Sequence, residues 1–113
     1  MRKDPQTLLK HIKESIEWVE SYVAGLSFED FFRSQEKQDA VSKRLEIIGE
    51  AVKNLPQEIR DAHTEIPWKE ITGMRDRLIH EYFSIDAELV WDTIGSDMTK
   101  LKKWVVEFLN KKE

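Results

Sequence analysis

The sequence predicts an all-α fold, an up-and-down four-helix bundle with a short additional helix, and three observations carry that reading. Apolar residues recur three or four positions apart through four long stretches. Helix punctuation bounds those stretches, at Asp4-Pro5, Gly25, Ser34, Pro56, Pro67 and Asp86. No stretch alternates apolar and polar residues as a half-buried strand does, and there is no internal repeat or low-complexity linker.

Asp4-Pro5 reads as an N-cap followed by proline at the first helical position, after which Leu8, Ile12, Ile16, Val19 and Val23 keep helical spacing to about Ala24. Gly25 suits the left-handed residue that ends a helix. Ser27-Phe28-Glu29-Asp30 reads as a cap opening one short turn, with Phe28, Phe31 and Phe32 as an apolar plug in the core. A second long helix starts near Ser34 or Gln35 and carries Val41, Leu45, Ile48 and Val52 on one stripe, broadened by Ala40, Ile47 and Ala51. Gly49 interrupts it. An interior glycine costs roughly 1 kcal/mol relative to alanine, so it marks a close approach by another helix. Glu46 and Glu50, one turn apart, read as a solvated pair rather than a metal site.

Asn54-Leu55-Pro56 closes that helix, and Gln57 to Ala62 has room for a turn or two. Pro67 starts a helix from Trp68 to about Phe83 with Ile71, Met74, Leu78 and Tyr82 inward. Ser84-Ile85-Asp86 is a second break, and Asp86 caps a last long helix from Ala87 to about Asn110. Its inward residues are Val90, Trp91, Ile94, Leu101, Val105, Phe108 and Leu109, and Gly95-Ser96 is placed to bend it.

With 113 residues the chain suits one domain, spanning 1–113, and four tryptophans and five phenylalanines supply bulky core material that disordered chains lack. The absence of cysteine excludes disulfides, thiolate metal sites and cysteine nucleophiles. Met1-Arg2-Lys3-Asp4-Pro5 has no apolar signal core, and no apolar run approaches the roughly 18 residues of a membrane span, so a cytoplasmic protein without membrane contact is expected. A net charge of −4 argues against binding nucleic acid by blanket attraction, so any RNA contact must be local. Lys102-Lys103 and Lys111-Lys112 read as solvated helix faces.

Chemistry concentrates between Gly73 and Phe83, where Arg75, His80 and Tyr82 fall within eight residues. Arginine offers a fixed fork of donors suited to phosphate, histidine titrates near neutrality, and tyrosine carries a hydroxyl on a rigid ring. At about 100° per residue, Arg75 and Tyr82 share a face within roughly 20°, while His80 points some 140° away from Arg75. One straight helix therefore cannot converge all three, and the site needs a helix that loosens near His80, a second chain, or both. The competing structural reading pairs Arg77 with Glu81 and Asp76 with His80, and makes Tyr82 a core tyrosine. His11 and His63 read as surface residues.

Arg75-x4-His80-x-Tyr82, preceded by Ile71-Thr72-Gly73-Met74 and followed by Phe83-x-Ile85-Asp86 and Val90-Trp91-x-x-Ile94, resembles the HepT-like toxins of the HEPN superfamily. Gln38-Asp39-Ala40-Val41, Leu45-Glu46-Ile47-Ile48-Gly49-Glu50-Ala51, Phe31-Phe32 and Ile66-Pro67-Trp68 extend the resemblance over nearly the whole chain. The resemblance implies a helical bundle that forms a homodimer with both motifs along one cleft. It also implies a metal-independent ribonuclease toxin paired with a minimal nucleotidyltransferase antitoxin. Carried over, Arg75 and His80 are the catalytic pair, and Tyr82 is a substrate-binding residue and the acceptor of AMP. Asp76 stands where asparagine is common in such motifs and places a negative charge beside the expected phosphate site, which makes it a candidate modulator. No cofactor or metal is expected.

A rival reading makes the same cleft a non-catalytic nucleotide-binding module, or an accessory subunit that docks the nucleotidyltransferase. The acidic net charge leans towards it; the intact Arg75, His80 and Tyr82 lean towards the enzyme.

Overall fold

The structure is a computed structural model that describes residues 4–80 and 86–111, and these form seven helices and no strand. Tyr82 and the expected break at Ser84-Ile85 lie outside the described residues, as do the helix end at Phe83, the partner Glu81 expected for Arg77, and Lys112.

The first helix, α1 (Pro5–Val23), begins as its Asp-Pro signal predicts, although the Asp4 carboxylate meets the Thr7 hydroxyl at 3.5 Å rather than a backbone N–H. Gly25 has φ +77°, the left-handed conformation in which a side chain is strained. Ser27 opens α2 (Phe28–Phe32) with a reciprocal capping box: the Asp30 N–H donates to the Ser27 hydroxyl and the Ser27 N–H to the Asp30 carboxylate, each at 3.1 Å. Phe31 is fully buried and Phe28 half-buried, both against Trp91 at 5.2 and 6.1 Å between centroids. Phe32 corrects the expected three-ring plug, being 60% exposed. A five-residue helix has one inward face, and Phe32 stands about 100° round from Phe31.

Helix α3 (Gln35–Lys53) is capped by the Ser34 hydroxyl, which accepts from the Lys37 N–H. The Gln38 amide donates to the Phe31 and Phe32 carbonyls at 3.0 and 2.8 Å, clasping α2 onto α3. Val41, Leu45, Ile48 and Val52 are all buried, as their spacing requires. After α4 (Gln57–Ala62), the Trp68 indole N–H reaches back to the carbonyls of Arg60 and His63, at 3.0 and 2.9 Å, and starts α5 (Trp68–His80). Asp86 caps α6 (Ala87–Gly95) through the N–H groups of Glu88 and Leu89.

The single last helix expected from Ala87 to Asn110 is instead two, α6 and α7 (Asp97–Lys111). At the junction the Ser96 hydroxyl and N–H both turn back onto the Asp92 carbonyl, at 2.9 and 3.0 Å, where serine back-bonding bends a helix. Met98 and Trp104 are buried on α7 beside the expected Leu101 and Val105.

α1 packs on α3 and α7, α3 on α5, and α6 on α7. The ion pair from Lys102 to Glu20 at 2.8 Å and Arg44 over the Trp18 ring at 5.7 Å tie α1 to its neighbours at the surface. Trp104 gathers Trp68, Phe108 and His63 at 5.1, 5.5 and 5.0 Å, and so anchors the start of α5 on α7. No helix among the described residues is long and apolar enough to cross a membrane.

Candidate active site

α5 buries Ile71, Met74 and Leu78, the inward face predicted from their spacing. Arg75 follows Met74 and lies on the flank of that face, against α3. The contact exists because residue 49 is glycine. A Cβ built there would come 2.9 Å from Arg75 Cγ and 3.4 Å from the Ile71 carbonyl oxygen, and closer still to Arg75 Cβ. The close approach expected at Gly49 is therefore the approach of α5, with Arg75 at its centre.

Two carboxylates from different helices hold the guanidinium. Arg75 Nη2 donates to Glu50 Oε2 on α3 at 2.8 Å, and Nη1 to Asp76 Oδ1 at 2.9 Å. Nε is buried and has no hydrogen-bond partner among the described residues. The hydrogen bond to Asp76 raises the Arg75 pKa above its ordinary value, with Glu50, Asp76 and Glu46 adding attraction and burial opposing. The same hydrogen bond holds the Asp76 carboxyl below its usual range against desolvation, helped by Lys53, Arg75 and His80. Lys53 Nζ is 4.0 Å from Asp76. Asp76 therefore faces Arg75 and Lys53, and the sequence-based pairing of Asp76 with His80 gives way to a through-space attraction.

His80 is exposed and is the last residue of α5. The helix stays α-helical through it, so the loosening expected near His80 does not begin within the described residues. Five residues of helix turn the chain about 140°, which leaves Arg75 against α3 and His80 on an open side.

Around Arg75, α1, α3 and α5 line a groove of about 690 Å³ to which His11, Lys43, Glu46, Glu50, Arg75 and Ile79 contribute. His11 is exposed, as its surface reading holds, yet it shares this groove with Arg75. His63 is half-buried against Trp104, so its role is packing. A second hollow of about 610 Å³, lined by Gln57, Arg60, Trp68 and Thr72, contains none of the candidate residues. No group of three or more His, Asp or Glu among the described residues is arranged to hold a metal ion.

Glu50 is the residue that sequence reasoning missed. Its spacing from Glu46 reads as a solvated pair, yet although half of its side chain is exposed it is ion-paired to Arg75. The signal was its neighbour: whatever approaches Gly49 closely also comes within reach of residue 50.

Comparison with known proteins places this chain among ribonuclease relatives. The model of the family described as "Ribonuclease HepT-like" matches residues 12–108. A candidate RNase of Caldanaerobacter subterraneus is 48% identical over 111 residues, covering 98% of this chain and 99% of the relative. "Probable ribonuclease HepT" of Thermococcus cleftensis is 43% identical over 102 residues, covering 90% and 93%. A longer Methanocaldococcus jannaschii protein, named as a gamma-glutamylcyclotransferase and candidate RNase, is 49% identical over 109 residues; the match covers 96% of this chain and 49% of that one. No solved structure gives a significant match.

Proposed function

This chain belongs to the HepT-like ribonuclease family, and from that premise we propose that it is a metal-independent endoribonuclease toxin whose catalytic pair is Arg75 and His80. Residues 1–113 act as one HepT-like domain in the cytoplasm, as a homodimer whose two motifs line one cleft.

The reaction that suits these side chains is transesterification. His80, as base, takes the proton of the RNA 2′-hydroxyl; the 2′-oxygen bonds to phosphorus; the bond from phosphorus to the 5′-oxygen breaks, and a protonated imidazole supplies that leaving oxygen with a proton. Arg75 holds the phosphate and offsets the charge that grows on its oxygens in the transition state. Tyr82 orients the substrate. A minimal nucleotidyltransferase antitoxin transfers AMP from ATP to the Tyr82 hydroxyl, with pyrophosphate leaving as the bond between the α- and β-phosphates breaks, and the added bulk and negative charge then exclude a polyanion from the cleft.

The observation that best supports this reading is the setting of Arg75. A permanently charged guanidinium is held on a groove wall by packing and two carboxylates, as a site that must present fixed donors to a phosphate requires. The rival, a non-catalytic nucleotide-binding or accessory subunit that docks the nucleotidyltransferase, draws support from the same carboxylates, since together they outweigh the charge of Arg75.

RNA degradation and growth arrest on expression separate the two. The enzyme reading expects wild type to degrade RNA, His80→Ala to lose that activity, and treatment with the nucleotidyltransferase and ATP to silence wild type. No degradation in any state, with retained partner binding, sinks it in favour of the accessory subunit.

A further inference from the structure

We propose that Glu50 is a positioning residue for Arg75, setting the direction in which the guanidinium presents its free donors to the scissile phosphate. The inference rests on the catalytic role of Arg75.

The root of the Arg75 side chain is fixed. The Cβ and Cγ of Arg75 press on the bare backbone of Gly49, which sets where the side chain leaves α5. Its Nε is buried without a partner among the described residues, so this N–H offers nothing to a substrate. Of the five N–H donors of a guanidinium, those directed at Glu50 Oε2 and Asp76 Oδ1 are also engaged. Among the described residues one N–H remains on each terminal nitrogen, and this pair is what Arg75 can give to a phosphate.

Asp76 alone cannot fix the direction of that pair. It is the next residue on the same helix and moves with Arg75. Glu50 stands on α3, across the helix interface, so its bond to Nη2 references the guanidinium plane to a second rigid element. With Glu50 removed, the plane can swing about the bond to Asp76, and the donors lose their aim though Arg75 stays charged. Small misplacements of a catalytic group are costly in rate, whereas general attraction of RNA to the groove does not depend on that aim.

Single-turnover cleavage of a labelled RNA oligonucleotide by wild type, Glu50→Ala, Glu50→Gln, Arg75→Ala and the Glu50→Ala/Arg75→Ala double variant tests this. Glu50→Ala is expected to lower the maximal rate roughly tenfold or more, with the half-saturating concentration within about twofold of wild type and the melting temperature unchanged. Glu50→Gln, which keeps an oxygen to accept from Nη2, recovers much of the rate. Adding Glu50→Ala to Arg75→Ala costs nothing further. An unchanged rate in Glu50→Ala beside an inactive Arg75→Ala overturns the role of Glu50 alone. Tighter RNA binding in Glu50→Ala with an undiminished maximal rate overturns it too, because Glu50 then only competes with phosphate. Full activity in Arg75→Ala overturns the catalytic reading, and the proposal with it. A readout free of any substrate is NMR of the Arg75 guanidinium: separate Nη1 and Nη2 signals in wild type should merge in Glu50→Ala, and signals that stay separate contradict the proposal.

Discussion

Gly49 and Arg75 occupy one space: a Cβ on Gly49 would come 2.9 Å from Arg75 Cγ, where no ordinary side-chain contact lies. Alanine is favoured over glycine in a helix interior by about 1 kcal/mol. Here the contact wins. Gly49→Ala is expected to destabilise the protein by up to about 2 kcal/mol net, since overpacking a tight interface costs about 1–3 kcal/mol and the helix gains about 1 kcal/mol. Arg75→Ala should not rescue it, because the tightest contact is with Arg75 Cβ, which alanine keeps. Thermal denaturation of the single and double variants measures both effects.

Asp76 makes stability depend on pH in a stated direction. Its folded pKa is depressed, chiefly by the hydrogen bond from Arg75, so the folded protein binds the proton less readily than the unfolded chain. That contribution is fully present above the unfolded carboxyl pKa of about 3.9 and disappears as pH falls through the lower folded value. Asp76→Asn should therefore melt below wild type at pH 6, and the gap should close as the pH is taken below about 4. A gap that stays constant with pH would show that Asp76 stabilises by shape rather than by charge.

His63 packs on Trp104 at 5.0 Å and lies apart from the Arg75 groove. His63→Ala should cost about 1 kcal/mol, the scale of one aromatic contact, and leave RNA cleavage unchanged. Equilibrium denaturation and a cleavage assay on the same preparation check both parts.

Much of this fold was legible because it rests on periodicity and punctuation. Val41, Leu45, Ile48 and Val52 had to face inward on any helix, and Asp4-Pro5, Ser27, Ser34 and Asp86 mark starts that the structure keeps. The break at Ser96 was visible only as a bend, because whether glycine and serine bend or divide a helix depends on what the two halves pack against. Phe32 was misplaced because Phe28, Phe31 and Phe32 keep the i, i+3, i+4 spacing of one helix stripe, and which edge of that stripe is covered depends on packing against other helices rather than on spacing. At the site, the angular separation of Arg75 and His80 follows from helical geometry alone. Glu50 did not, since its partner lies on another helix, 25 residues along the chain.

The central claim, that Arg75 and His80 cleave RNA without a metal ion, is tested most directly by incubating purified protein with RNA in excess chelator and identifying the new ends. Wild type should cleave and leave 2′,3′-cyclic phosphate termini, while Arg75→Ala and His80→Ala, folded as judged by their melting curves, fall roughly a hundredfold or more. Cleavage by His80→Ala at the wild-type rate, or activity abolished by chelator and restored by a divalent cation, would contradict the account.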